Sequence, residues 1–423
     1  MLARQPHARP RPVVTSDEEA RAPRLAPVPA DLTVAVMTPW NQQCGNAEFM
    51  KRLAIGLERC ATILPFDMRN LGGLSRWTGS RALDRSFRDL VASVNASGAD
   101  VVHIQHEFCF FGRNIAESSR RFHWVMQQLR APVVVSLHTW LSSMSLPRRT
   151  RLMSRGFAGL VHHLRNRHIT AALTLADAIV LHSQETHRKF VESYPELQAR
   201  TQVLSFPIER PRVEPVASPL AKPADDVWLM LPGFVSRYKG HLRVLEALRY
   251  LPNNVKLVAA GGIHPKDRGG SDYWLEVLQR ADALGLQGRV LVTGYLDDVA
   301  TQAAVLAQAD VFVLPYDEVG QSGSAVLADV LAYDRPVITS RARSMFVYRM
   351  DPQTAFSSRA VDVTDAEAFA AAVGESIRGD AEGSAEARGH RVAVLERHSM
   401  AATQAGYERV YRSVLASRAG GAK

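Results

Sequence analysis

The feature that most constrains this chain is a rhythm that runs twice along it: short runs of almost unbroken apolar residues separated by longer amphipathic stretches. In the first series the runs are Thr33–Met37, Val101–Gln105, Val133–Leu137 and Ala178–Leu181, with helical periodicity between them, as over Ala47–Glu58 and Ile115–Leu129. In the second they are Trp228–Leu231, Val255–Ala260, Val290–Thr293, Val311–Leu314 and Pro336–Thr339. Strands apolar at every position must be covered on both faces, so the pattern predicts parallel sheets sandwiched by helices. A chain of 423 residues exceeds what one core accommodates. The stretch 207–226, dense in Pro, Ala and charge, reads as a linker between two units, 31–206 and 227–390. Residues 1–30 are rich in Pro, Arg and Ala without apolar period and read as a disordered leader. The tail 391–423 carries Tyr407, Val410, Tyr411 and Val414 at helical spacing. Ligands of doubly wound sheets sit beyond the carboxyl ends of the strands, so the expected site is the cleft between the two units.

Composition narrows the setting. Cys44, Cys60 and Cys109 have neither disulfide-framework nor metal-ligand spacing. With no signal-peptide core and no membrane-length apolar run, the expectation is a soluble cytoplasmic protein. The net charge of +9 favours anionic partners: nucleic acid, lipid headgroups or a phosphorylated substrate. Arg148, Arg149, Arg151 and Arg155 form the densest basic cluster, readable as a solvated face or as a membrane-surface or phosphate-binding patch. No compact basic and aromatic stripe supports a nucleic-acid partner.

Three windows carry chemistry. In Ala309–Ser340 a buried strand leads through a polar loop to Ser322, Gly323 and Ser324, where Val326, Leu327, Val330 and Leu331 announce a helix. A serine can cap that helix, Gly323 admits close approach, and the exposed N–H groups suit a diphosphate. Asp329, two turns further on, could accept hydrogen bonds from a ribose diol. In Leu231–Leu248 a strand ends at Gly233 and a short loop bears Arg237 and Lys239 before a helix begins near His241; two cations there could neutralise a leaving diphosphate without a metal. In Thr38–Leu57 a glycine loop with Gly45 again opens a helix.

The Ala309–Ser340 window resembles the signature of glycosyltransferase family 4, in which two glutamates flanking seven residues precede an alanine-rich stretch and a G-x-P-V-like turn. Aligned on Pro336 and Val337, the second glutamate corresponds to Asp329 and the first, which in the family lies against the transferred sugar, to Gln321. Lys239 and Gly240 match the family's K-G segment, while Phe234 stands where the family places arginine, leaving Arg237 to supply the second cation. Gly45 matches the glycine of the first loop, with Asn46 and Glu48 as acceptor-side candidates. His138, ending the run Val133–Trp140, matches the active-site histidine beside the transferred sugar. His106 and Glu107 would line the acceptor pocket, whereas His103 reads as structural. Gly294 and Tyr295 lie in the loop that resembles the base cradle, and Phe206 replaces a histidine of the hinge turn.

The resemblance implies a GT-B fold of two Rossmann-like α/β domains facing across a cleft, with the closing helix crossing back onto the first. It implies retaining transfer of a hexose, such as mannose or glucose, from a UDP- or GDP-sugar to a glycan, lipid-linked or polysaccharide-precursor acceptor. No cofactor or essential metal is implied, and peripheral contact with an anionic membrane is compatible with the charge. Two other readings keep the architecture: a sugar-nucleotide 2-epimerase, disfavoured by the K-G and Q-S-G segments, and a non-catalytic two-domain binding protein.

Overall fold

The computed structural model describes residues 32–40, 45–68, 80–140, 167–211, 213–263, 270–296, 298–317, 321–346, 348, 359–378 and 392–421. The leader, Cys44 and the Arg148–Arg155 cluster lie outside the described residues.

Two six-stranded sheets, wholly parallel in the pairings observed, form the framework. The first comprises β1 (Thr33–Thr38), β2 (Thr62–Asp67), β3 (Val101–His106), β4 (Val133–Leu137), β5 (Ala178–Leu181) and β6 (Thr201–Val203), in spatial order β2-β1-β3-β4-β5-β6. The second comprises β7 (Val227–Pro232), β8 (Val255–Ala260), β9 (Val290–Val292), β10 (Val311–Leu314), β11 (Val337–Thr339) and β12 (Arg359–Ala360), ordered β12-β11-β10-β7-β8-β9. Around the first sheet lie α1 (Gly45–Leu57), α2 (Ser80–Ala96), α3 (Ile115–Gln128) and α4 (Gln184–Ser193). Around the second lie α5 (His241–Leu248), α6 (Gly270–Ala283), α7 (Val299–Leu306), α8 (Ala325–Leu331) and α9 (Ala366–Arg378), and α10 (Met400–Gly421) closes the chain. Each sheet with its flanking helices is a Rossmann-like doubly wound unit, the two-domain α/β arrangement that the sequence resemblance implies.

The apolar runs explain the layering. Along β1, Val34 and Val36 join one core while Ala35 and Met37 join another on the opposite face, the two-residue period of a strand covered on both sides. The core on the Val34 face is continuous through both domains: it includes Phe49 and Met50 of α1, Phe206 and Ile208 after β6, Phe312 of β10, Leu327 of α8, and Tyr407 and Tyr411 of α10. Each fully buried ring of that size contributes roughly 1.5–3 kcal/mol, so this shared core holds the domains together more strongly than any single polar contact.

Three strands escaped the sequence reading. β2 contains Pro65 and is partly exposed at a sheet edge, where a missing N–H is tolerated. β6 and β12 span three and two residues, too short to show a period. Within 207–226 no described residue is in a helix or strand, and Ser218, Leu220 and Lys222 are tied to Gln308 and Asp310 of the second domain. Helix α10 does return to the first domain: it packs on α1, and Arg418 pairs with Asp177 at 2.9 Å.

Candidate active site

Lys239 is the centre of the site. It follows β7 in a single 3-10 turn, Arg237–Lys239, ended by Gly240 in the left-handed region (φ 78°). A Cβ on Gly240 would stand 2.3 Å from the Pro315 carbonyl oxygen, so Gly240 is required by close approach as well as by backbone conformation; Gly233 is required by its positive φ (96°), and a Cβ there would stand 2.3 Å from the Lys239 ammonium and displace it. The Lys239 side chain is thereby folded back beneath the end of β7, 2% exposed. Its Nζ donates to the Pro232 carbonyl at 2.9 Å and to the Tyr316 hydroxyl at 2.8 Å and lies 4.9 Å from the Tyr316 ring centre. Every one of these partners is neutral, and among the described residues no carboxylate is within ion-pair distance. Burial pulls its pKa down to about 7, opposed by the field of Asp329.

Helix α1 supplies the opposite wall. Phe49 meets the His138 ring edge-on at 6.5 Å between centres, and Arg52, one turn later, reaches Asp329 of α8 at 3.6 Å. Asp329 is pushed up by burial, against the charges of Arg52 and Lys239. Gly45 opens α1, where a Cβ would meet no described residue within 4 Å, while Glu48 pairs with Lys51 at 2.8 Å on the exposed first turn beside Asn46.

The Q-S-G segment is joined to the end of β4. Gln321 and Thr139 form an antiparallel bridge, the Ser322 N–H donates to the His138 carbonyl at 2.8 Å, and the Ser322 hydroxyl donates to the Leu137 carbonyl at 3.0 Å. Thr186 of α4 in turn donates to the Ser322 carbonyl at 3.2 Å. Ser322, wholly buried, therefore spends both of its donors on the first domain, so in this conformation it does not offer them to the diphosphate expected at the Ser322–Ser324 helix start. Ser324 does cap α8, accepting from the Leu327 N–H at 3.1 Å; Gly323 lies between the two.

His138 itself is buried and stacked on His182 at 4.6 Å. Burial lowers its pKa well below the usual range, and His182, His103 and His106 lower it further. The ring is therefore neutral and carries one N–H. Glu107 accepts a hydrogen bond from Thr139 at 2.8 Å beside the Gln321 bridge, and burial raises its pKa to about 7. In the second domain Phe234 stacks on Tyr295 at 5.7 Å, and Gly262 passes so close that a Cβ would stand 2.7 Å from the Tyr295 nitrogen; Gly294 (φ 73°) turns the chain there.

Two expectations need correction. His106 is the last residue of β3, not a residue beyond it, and its ring is fully buried among Phe108, Phe111 and Phe122, with neither ring nitrogen hydrogen-bonded to a side chain or neighbour among the described residues, so it does not line a pocket. Arg237 is not gathered in with Lys239: its guanidinium is paired with Glu276 and stacked 4.8 Å from the Tyr273 ring centre, two-thirds exposed. The one-turn geometry that buries Lys239 sends Arg237, two residues earlier, toward α6. The sequence reading also missed Tyr316, Thr186, His182 and Arg52. His182 follows directly on the carboxyl end of β5 and Tyr316 comes two residues after that of β10, a position that could have flagged them; Thr186 and Arg52 carry no such mark.

Residues 226–378 match the family model Glycosyl transferases group 1. No curated protein matches the sequence. Among solved structures the chain is similar to a sucrose-phosphate synthase from Thermosynechococcus elongatus, with a TM-score of 0.69 at 17% identity over 91% of this chain and 100% of that one. It is similar to a glycosyltransferase from Rickettsia africae ESF-5, with a TM-score of 0.63 at 15% identity over 91% and 98%. The HepE protein of Anabaena, solved in complex with UDP and glucose, aligns with a TM-score of 0.62 at 15% identity over 90% and 100%. The group 1 match spans the second sheet from β7 to α9 and so contains Lys239, Gln321 and Asp329, whereas His138 and α1 lie outside it.

Proposed function

We propose that this protein is a retaining hexosyltransferase that takes a sugar from a UDP- or GDP-sugar and passes it to a glycan, lipid-linked or polysaccharide-precursor acceptor. The observation that carries the reading is the buried, acid-free ammonium of Lys239. Such a group is destabilising unless an anion arrives to complete it, and a diphosphate at the carboxyl end of β7 is an anion of the right charge and place. The UDP and glucose bound in the structural relative HepE support a sugar nucleotide as that anion.

In this mechanism the Lys239 ammonium and the N–H groups at the start of α8 draw off the negative charge that develops as the sugar–phosphate bond breaks. Phe234 and Tyr295 form an aromatic platform for the base, and Asp329 holds the ribose once Arg52 yields it. His138 and Gln321 stand on either side of the interdomain seam, where the sugar would lie, and the apolar core behind them excludes water. The acceptor enters along the first turn of α1, past Asn46 and Glu48, toward Glu107. The leaving diphosphate helps to remove the acceptor proton, so no enzymic nucleophile is required and no divalent metal takes part.

Calorimetry with UDP and GDP, followed by product analysis with UDP-glucose and GDP-mannose, tests the reading. Binding of one nucleotide with loss of that binding in Lys239→Ala is expected. Equal affinity of wild type and Lys239→Ala for every nucleotide would remove its basis.

A further inference from the structure

A chain of buried polar side chains leads from the last helix to His138. On α10, Tyr407 and Tyr411 sit one turn apart, both fully buried. The Tyr411 hydroxyl lies 2.8 Å from His103 Nδ1, and the Tyr407 hydroxyl lies 3.0 Å from Ser136 Oγ, which is itself 2.9 Å from His103 Nε2. His103 Nε2 also lies 3.1 Å from Gln105 Nε2, and the Gln105 carbonyl oxygen meets His138 Nε2 at 2.5 Å. These groups stand on the adjacent strands β3 and β4, in the register His103↔Val134 and Gln105↔Ser136, all on the face that α10 covers.

Such a chain can run in either of two senses, and one contact selects between them. Burial holds His103 at a pKa of about 3, so it is neutral and has a single ring proton, as does His138. The amide nitrogen of Gln105 also lies 3.2 Å from the Met50 sulfur, which can accept a hydrogen bond but not donate one. That fixes the amide with its NH2 toward Met50 and His103 and its oxygen toward His138. Consequently His103 Nε2 must accept, its proton is on Nδ1 and is donated to the Tyr411 oxygen, and His138 must carry its proton on Nε2. His138 Nδ1, which makes no hydrogen bond among the described residues, the ring bonding only through Nε2, is left as a lone pair.

We infer that Tyr411, seconded by Tyr407, is a positioning residue that sets the tautomer of His138 through His103 and Gln105, so that the His138 Nδ1 lone pair accepts a hydroxyl of the bound sugar. The inference rests on the proposed sugar-transfer reading for the hydroxyl, but not for the tautomer. It also gives the crossing of α10 onto the first domain a chemical role. The helix that leaves the donor domain supplies the hydrogen-bond acceptor that the histidine chain of the other domain needs. Without the Tyr411 oxygen, the His103 Nδ1 proton has no partner, the His103 proton moves to Nε2 where Ser136 can accept it, and Gln105 must turn its amide nitrogen toward His138. His138 then takes the other tautomer and presents an N–H in place of the lone pair.

The test uses the full chain and the variant Tyr411→Phe, which keeps the ring, with Tyr194→Phe as a control that removes a buried hydroxyl elsewhere. Imidazole nitrogen shifts, with the His138 signals assigned by His138→Gln, should show one Nε2–H tautomer in wild type and in Tyr194→Phe. In Tyr411→Phe they should show a mixture or reversal. UDP affinity should stay within about twofold, because Lys239 is untouched, while kcat for UDP-glucose turnover should fall roughly tenfold, the effect of one lost hydrogen bond to the sugar, with KM little changed. In a His138→Ala background the same substitution should change kcat no further. Unchanged His138 shifts in Tyr411→Phe would overturn the inference, as would an undiminished kcat loss in the His138→Ala background, which marks a merely structural role. The nitrogen shifts decide the tautomer even in a protein that binds no sugar nucleotide, so failure of the functional reading is separately visible as absent UDP binding.

Discussion

Raising the pH from 7 to 9 should weaken the binding of a sugar diphosphate progressively, because the buried Lys239 loses its proton in the free protein but keeps it against the diphosphate. The folded-state pKa is about 7, against an ordinary lysine value of 10.5. The ligand binds the protonated form, so its arrival raises the pKa and takes up a proton at any pH above 7. Linkage then dictates the slope: each pH unit above 7 costs about 1.4 kcal/mol of binding, a tenfold rise in Kd, until the pKa of the complex is passed. Because the group is already half deprotonated at pH 7, the dissociation constant for UDP-glucose should rise by up to about 50-fold between pH 7 and 9. UDP-glucose is the suitable probe, since its esterified diphosphate has no group titrating in this interval. Calorimetry at pH 8.5 in two buffers of different ionisation enthalpy should register uptake of nearly one proton per ligand. In Lys239→Met the affinity should be weak and flat across the same interval. A wild-type Kd that does not change from pH 7 to 9, or binding without proton uptake, would refute the argument that the ammonium is both buried and the diphosphate's partner.

The same charge should make the protein less stable than it could be. The unfolded chain binds the Lys239 proton up to pH 10.5 and the native state only to about 7, so stability attributable to this group rises as pH climbs through that window. Lys239→Met should therefore raise Tm at pH 7, by roughly 1–4 kcal/mol in stability, and raise it less at pH 10, as followed by calorimetric scans. Glu107 has the opposite sign: its folded pKa, raised from 4.5 to about 7, makes the native state the better proton binder, and stability is lost as pH rises between those values. Glu107→Gln should accordingly stabilise by up to about 2 kcal/mol at pH 8 and be nearly neutral at pH 4, read from urea midpoints. Ser322→Ala, which deletes the hydroxyl bond to Leu137, should loosen the interdomain seam by about 1 kcal/mol; small-angle scattering should then show a larger mean radius than wild type. Gly240→Ala, forced to φ 78° and against the Pro315 carbonyl, should cost at least about 1 kcal/mol and lower nucleotide affinity by shifting Lys239.

Much of the architecture was legible because burial on both faces leaves a plain mark in a strand. Runs such as Val133–Leu137 and Val311–Leu314 admit few other readings. The short or proline-bearing edge strands β2, β6 and β12 carry no such mark, since an edge is specified by what it lies beside. The loops after β1, β3, β4, β7 and β10 were locatable for the same reason as the strands: a ligand approaches where strands end. Composition and local spacing thus determined that this is a doubly wound α/β chain, that Lys239 follows a strand end, and that a helix capped by Ser322 or Ser324 opens the Val326–Leu331 stretch; the structure chose Ser324.

What the linear order did not contain was partnership between residues far apart. Arg237 and Lys239 look equivalent in the sequence, yet one turn of 3-10 helix buries one ammonium without an acid and gives the other cation to Glu276. Ser322 reads as part of a helix start open to a diphosphate until its hydroxyl is seen donating to the Leu137 carbonyl, 185 residues away. His106 and His138 each end an apolar strand, but Phe108, Phe111 and Phe122 enclose the first, while Gln105, and through it a tyrosine more than 300 residues from His103, orders the second. Periodicity is a property of the chain, so the strands and helices could be read from it. Desolvation and hydrogen-bond sense depend on which distant atoms are brought together, and only the tertiary structure decides that.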